Sequence, residues 1–148
     1  MHDPRVIVAL DYDNKDTALA FVDKLDSSLC KLKVGKEMFT LFGPEFVKAL
    51  IAKGFDVFLD LKFHDIPNTV KKSLRNILSL KPKYTTLHVS GGSDMIEACI
   101  SLKREVNSKT NLIGVTVLTS LDDDSFNKVG IHESLGQHVE NLTKLAFN

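Results

Sequence analysis

Short apolar runs alternate with amphipathic stretches along the whole chain. "RVIVALD" (5–11), "CKLKVG" (30–35), "DVFLDLKF" (56–63), "YTTLHVS" (84–90) and "NLIGVTVLTS" (111–120) read as five strands. Between them the apolar period lengthens to that of a helix. Asn14 is placed to cap a helix with Ala18, Phe21, Val22 and Leu25 on one side. In "GPEFVKALIAKG" (43–54), Pro44 stands in the first turn. Phe46, Val47, Leu50 and Ile51 form a face there, and Gly54 is the stop. Pro67 opens a helix through Val70, Leu74, Ile77 and Leu78. "GGSDMIEACISLKREV" (91–106) is a helix expected to turn Ile96, Cys99 and Ile100 inward. "DDDSFNKVG" (122–130) reads as a short turn or helix, and residues 133–148 begin a last helix.

Five β-α units in succession imply an α/β fold with a parallel sheet buried on both faces. No Pro- or Gly-rich linker divides the chain, so residues 1–148 read as a single domain. Two architectures fit this pattern. A five-stranded doubly wound sheet suits the length. A (β/α)8 barrel needs about 250 residues for all eight units, so here it would be represented by roughly the first five. Periodicity alone does not choose between them.

The polar residues are less evenly spread. Both architectures put their sites at the carboxyl ends of strands. Those ends carry Asp11, Lys33, Asp60 with Lys62, His88 with Ser90, and Thr119 with Ser120. The third strand is the most unusual, because Asp60 and Lys62 interrupt apolar text and His64 and Asp65 follow at once. Charged side chains are rarely buried unless paired. A single Asp at a strand end is more often a cap or turn residue than a catalyst, and Asp65, just ahead of Pro67, has that alternative. His64, Asp65 and His88 can be imagined as a metal site. Lys33 and Lys62 argue against it, since an ammonium competes with a cation for the same carboxylates, so no metal is expected. "SGG" (90–92) is a tight turn rather than a nucleotide-binding loop, and the three acids at 122–124 suit a helix N-terminus.

Charge and cysteines narrow the classes further. Lys+Arg and Asp+Glu both number 19, so the net charge is zero. That balance disfavours nucleic acid and membrane surfaces as partners, because both call for a basic excess. No apolar run approaches the ~20 residues that span a bilayer, and the N-terminus lacks the pattern of a signal peptide. A cytoplasmic protein is expected. Cys30 and Cys99 lie in apolar segments without metal or disulfide spacing and read as buried thiols.

"LDLKFHDIPNT" (59–69), with "VALDYDN" (8–14), "LKVGKEMF" (32–39), "LHVSGG" (87–92) and "VTVLTS" (115–120), resembles orotidine 5′-phosphate decarboxylase across the whole chain. The "DxKxxD" signature, here Asp60, Lys62 and Asp65, also occurs in a wider group of barrel enzymes, whereas "FHDIPNT" and "LKVGKEMF" are more specific. The resemblance implies a (β/α)8 barrel, a homodimer with shared active sites, and neither metal nor organic cofactor. It implies conversion of orotidine 5′-phosphate to UMP and CO2. Lys62 would be the proton donor, with Asp60 beside the substrate carboxylate. Lys33 and Lys62 would alternate with Asp60 and Asp65 in a charged network, Asp65 reaching in from the partner. Asp11 and Lys33 would contact the ribose, Thr69 would follow the interface loop, and Thr119 or Ser120 would face the pyrimidine. His88 is counted among the substrate-binding residues. A family member continues for about three more units, which carry the phosphate-gripping arginine. The arginines here are Arg5, Arg75 and Arg104, none at the expected rim.

Two competing readings remain at this point. A phosphoacceptor receiver domain also places acids after strands one and three, but it needs a lysine after strand five and leaves Lys33 and Lys62 without a purpose. The other is a shortened, non-catalytic remnant with a binding or assembly role.

Overall fold

The computed structural model describes residues 3–147. Five strands form one parallel sheet: β1 (Val6–Leu10), β2 (Cys30–Gly35), β3 (Val57–Phe63), β4 (Tyr84–His88) and β5 (Asn111–Val115). Their order in the sheet is their order in the chain. A doubly wound sheet reverses its strand order at a switch point, and this one does not. Sequential order is that of a barrel wall, in which each strand is laid beside the last. The topology therefore removes the doubly wound alternative, and with it the receiver-like reading.

Helices α1 (Lys15–Val22), α2 (Lys36–Ala52), α3 (Pro67–Ser79) and α4 (Ser93–Glu105) fill the first four connections. A short 3-10 turn, Val89–Gly91, precedes α4, and α5 (Asp123–Lys128) and α6 (Leu135–Phe147) follow β5. The core lies between sheet and helices. Leu10, Leu32, Val34, Val57 and Leu59 are fully or almost fully buried on the strands, against Phe46, Val47 and Leu50 of α2, Val70 and Leu74 of α3, and Met95, Cys99 and Leu102 of α4. The alternation of a strand sends the intervening residues to the other face, the barrel interior. On the three central strands those residues are largely polar, with Lys31 and Lys33, Asp60 and Lys62, Thr86 and His88, whereas β1 and β5 place Ile7, Ala9, Ile113 and Val115 there. Lys31 closes the interior at the amino ends of the strands. Its ammonium meets Asp3 at 2.8 Å, the Pro4 carbonyl at 2.9 Å and the Tyr84 hydroxyl at 3.4 Å.

Most predicted elements form where the pattern placed them. Asn14 caps α1, its side chain accepting from the Thr17 amide at 2.9 Å, and Asp122 does the same for α5 through Ser125. Three elements differ. Helix α2 begins at Lys36, not at Gly43, and is broken at Gly43 with φ 65° and ψ −168°. The stretch read from 43 onward is its second half, restarted by Pro44. In α4 the fully buried positions are Met95, Cys99 and Leu102, and Ile96 and Ile100 are only half-buried beside them. Strand β5 ends at Val115, so Thr119 and Ser120 sit in an exposed turn beyond it rather than at a strand end. Asn148, the end of the predicted last helix, lies outside the described residues.

Candidate active site

The site is built by an irregularity in β3. Leu59 pairs with Thr85, but Phe63 pairs with Leu87, so β3 spends four residues where β4 spends two. The surplus is a bulge, the device by which strands re-aim a side chain beside active sites. Lys62 lies inside it and adopts φ 52°, a left-handed conformation that costs an L-residue roughly 1–2 kcal/mol. A lysine held there against its preference is held by its surroundings.

Those surroundings are specific. The Lys62 ammonium meets Asp60 Oδ2 at 2.6 Å. The other oxygen, Asp60 Oδ1, accepts from the Thr86 hydroxyl at 2.9 Å. The same hydroxyl accepts from the Lys62 backbone N–H at 2.8 Å. Each of the three residues thus touches the other two. The Asp60 side chain is 12% exposed and that of Lys62 31%, so the pair sits at a mouth rather than in a sealed core. Burial pushes the Asp60 carboxyl up. Hydrogen bonds from Lys62 and Thr86 and the charges of Lys62 and Lys33 outweigh it, and the net displacement is downward. Asp60 is therefore ionised at neutral pH, and its charge is what permits an ammonium at this depth.

Lys33 enters from β2. Its Nζ lies 3.9 Å from where a Cβ on Gly35 would stand, and Gly35 is the register partner of Asp60. On the opposite side, His88 and His64 bring their rings to 5.4 Å. Burial lowers the His88 pKa, and the charges of His64, Lys36 and Lys62 lower it further against a smaller opposing pull from Asp60. Its imidazole is neutral near pH 7, beside a cationic rim. Among the described residues no three His, Cys, Asp or Glu side chains converge into a metal-binding group.

The other predicted residues stand apart from this cluster. Asp11 follows β1 and is exposed. Asp65 is exposed in the loop after β3, its carboxylate accepting from the adjacent Ile66 amide at 2.7 Å. Thr69 is exposed in the first turn of α3, where its amide bonds the Ile66 carbonyl. Ile66 itself is 67% exposed. Two participants escaped the sequence reading. Thr86 was legible only as a strand residue, although its even spacing from Tyr84 and His88 puts it on the interior face. Lys36 lies within "LKVGKEMF" with no feature that marks it out, and its charge contributes to the field at His88.

The site is thus an ion pair at the carboxyl ends of parallel strands, with a bulged lysine as its cation. Residues 4–148 match the family described as "Orotidine 5'-phosphate decarboxylase / HUMPS family". The chain belongs to that family. It is 54% identical over 146 residues to the orotidine 5′-phosphate decarboxylase of Pseudoalteromonas atlantica, covering 98% of this chain and 63% of the relative. It is 52% identical over 149 residues to that of Vibrio cholerae, covering 100% of this chain and 64% of the relative. The crystal structure of orotidine 5′-phosphate decarboxylase from Lactobacillus acidophilus superposes with a TM-score of 0.85 at 36% identity, over 97% of this chain and 67% of that one. The Methanocaldococcus jannaschii structure gives 0.77 at 25% identity, over 98% and 66%. The five β-α units are thus part of the family's barrel fold, and the chain spans a little under two thirds of the curated relatives' length.

Proposed function

We propose that this chain carries the decarboxylation centre of a cytoplasmic orotidine 5′-phosphate decarboxylase, folded as one domain. The observation that supports this most directly is the compensated ammonium: Lys62 paired with Asp60 at 2.6 Å at the mouth of the barrel interior. In the reaction the bond from the pyrimidine ring to its carboxylate breaks and CO2 departs. The electron pair stays on the ring carbon, which has little means of delocalising it. A fixed ammonium offsets that charge as it develops and then supplies a proton, giving UMP. The amine left on Lys62 regains a proton from water. No metal or organic cofactor is needed for these steps, because Lys62 supplies both the positive charge and the proton.

Asp60 has a second part. It stands beside the substrate carboxylate, and two unit charges ~4 Å apart repel by roughly 4 kcal/mol at an effective dielectric of 20. That repulsion disappears when CO2 leaves uncharged. The stabilisation by Lys62 is the principal term, since it acts on charge that exists only late in the reaction. Lys33 and Asp11 take the ribose hydroxyls, His88 lines the pocket as a neutral ring, and Thr119 or Ser120 faces the pyrimidine. Asp65 and Thr69 belong to a homodimer face centred on exposed Ile66, across which Asp65 completes the partner's charged network. The rim cations Lys33, Lys36 and Lys62 favour an anionic substrate.

The test is turnover of orotidine 5′-phosphate by the full-length protein. Lys62→Ala should abolish it while fold and oligomeric state persist, and exhaustive EDTA treatment of the parent should leave it intact. A tenth or more of parent turnover in Lys62→Ala would remove Lys62 from the proton-donor role. Loss on EDTA restored by a divalent ion would overturn the metal-free mechanism.

A further inference from the structure

The Thr86 hydroxyl stands between the two charged members of the site and touches both. It donates to Asp60 Oδ1 at 2.9 Å and accepts from the Lys62 backbone N–H at 2.8 Å. One hydroxyl has one proton and two lone pairs, so it can do both at once only in this sense. Thr86 is 3% exposed, so neither bond has water as a ready substitute. The neighbouring Thr85 shows that β4 does not engage its hydroxyls by default: its side chain is fully buried on the opposite face, and its Oγ1 has no partner among the described residues.

We infer that Thr86 is a positioning residue of this centre, holding one Asp60 oxygen and the Lys62 backbone so that the Lys62 ammonium is aimed at the substrate. The inference rests on the decarboxylase reading above. Two effects follow from the one hydroxyl. With Oδ1 tied to Thr86, the carboxylate cannot rotate, and Lys62 meets only Oδ2. Without that tie the ammonium is free to bridge both oxygens and be drawn away from the reacting carbon. The second effect is on the backbone. The bulge leaves Lys62 at φ 52° outside the regular register with β4, and its N–H donates to the Thr86 hydroxyl. Thr86 takes that N–H and so stabilises the strained conformation that points the side chain into the interior. A hydrogen bond to a charged group contributes more than a neutral one, and an orphaned buried donor is costly.

The experiment compares the parent with Thr86→Val, which keeps the shape without the hydroxyl, and Thr86→Ser, which keeps the hydroxyl. All are full-length proteins assayed with orotidine 5′-phosphate across pH. Thr86→Val should lower kcat by about tenfold or more with a smaller change in KM, and should move the acidic limb of kcat/KM to higher pH. Thr86→Ser should stay within about threefold of the parent with the same acidic limb. Two measurements need no substrate. Carboxyl-carbon NMR titration of Asp60 should shift upward, and hydrogen exchange at the Lys62 amide should accelerate, in Thr86→Val but not in Thr86→Ser. A Thr86→Val enzyme with parent kcat, or equal losses in both variants, would overturn the inference. Inactivity of the parent would instead overturn the decarboxylase reading. The titration and the exchange would then decide the positioning role, and unchanged values in Thr86→Val would end it. If Thr86→Val does not fold, Thr86→Cys, with a similar shape and a weak donor, takes its place under the same criteria.

Discussion

At the scale of single residues, the site is a balance of charge against burial, and His88 exposes one side of that balance. Burial together with His64, Lys36 and Lys62 lowers its pKa below 6.5 in the folded protein. As pH falls through 6.5, the unfolded chain binds a proton at this position and the folded chain does not. The unfolded state is then favoured, so stability declines from about pH 6.5 down to the folded pKa and is unaffected by this group above it. His88→Gln should lose that part of the decline. Urea midpoints at pH 7.5 and pH 5 measure it: a parent whose fall between the two is no larger than the variant's would contradict the account. The charged pair was legible in the sequence because Asp60 and Lys62 interrupt an apolar strand. Thr86 was not, because threonine is an ordinary strand residue. Its role depends on a bulge in the neighbouring strand that no periodicity records.

At the scale of elements, the loops and kinks carry what the apolar pattern could not. The helix after β2 was expected only from residue 43, because Gly43 and Pro44 together read as a start. They are a restart. The chain is already helical from Lys36, and Gly43 breaks it with φ 65° and ψ −168°, a region of backbone space that is essentially confined to glycine. Nothing lies within 4 Å of a Cβ built there, so a substitution would meet backbone strain and no clash. Gly43→Ala should therefore destabilise the fold by about 1–3 kcal/mol without altering the core. Denaturant unfolding checks this, and a midpoint equal to the parent's would mean that the two halves of α2 can rejoin at no cost. Strand β5 departs from its pattern in the opposite sense and is shorter than its apolar run. "NLIGVTVLTS" is rich in apolar and β-branched residues, yet pairing stops at Val115. Strand propensity describes a residue's fit to a half-buried pleat, and β4 ends at His88, the register partner of Val115, so among the described residues no strand pairs with the chain beyond it. Lys36, and with it the amino-terminal half of α2, was hidden for a simpler reason. Its segment, "KEMFTLF", is too short to distinguish a helix from the end of a strand by apolar spacing.

At the scale of the molecule, the order of strands decides the architecture and also sets how these 148 residues behave by themselves. Strands β1 and β5 each have one neighbour in the sheet. Their outer edges present unpaired backbone donors and acceptors, and the adjacent apolar side chains are in part uncovered: Val6 is 58% exposed, Ile7 42% and Ile113 40%. An open edge bearing apolar residues is a template for another chain. Closed barrels remove the problem by giving every strand two neighbours. A second apolar feature competes for the same role, since Ile66 is 67% exposed in the loop proposed as the dimer face. The two routes predict different assemblies. The proposed face around Ile66 would be isologous and stop at a dimer, whereas edge pairing between β1 and β5 would be head-to-tail and continue. Both should operate in the isolated 148-residue chain, so sedimentation velocity should show a dimer at low concentration and larger, concentration-dependent species above it. Ile7→Lys combined with Ile113→Lys should remove the larger species and leave the dimer, and Ile66→Glu should remove the dimer and leave edge association. A monodisperse monomer at tens of micromolar would sink both routes. Larger species that persist unchanged in the double lysine variant would mean that the edges are already protected, and that the chain associates through a surface other than its sheet.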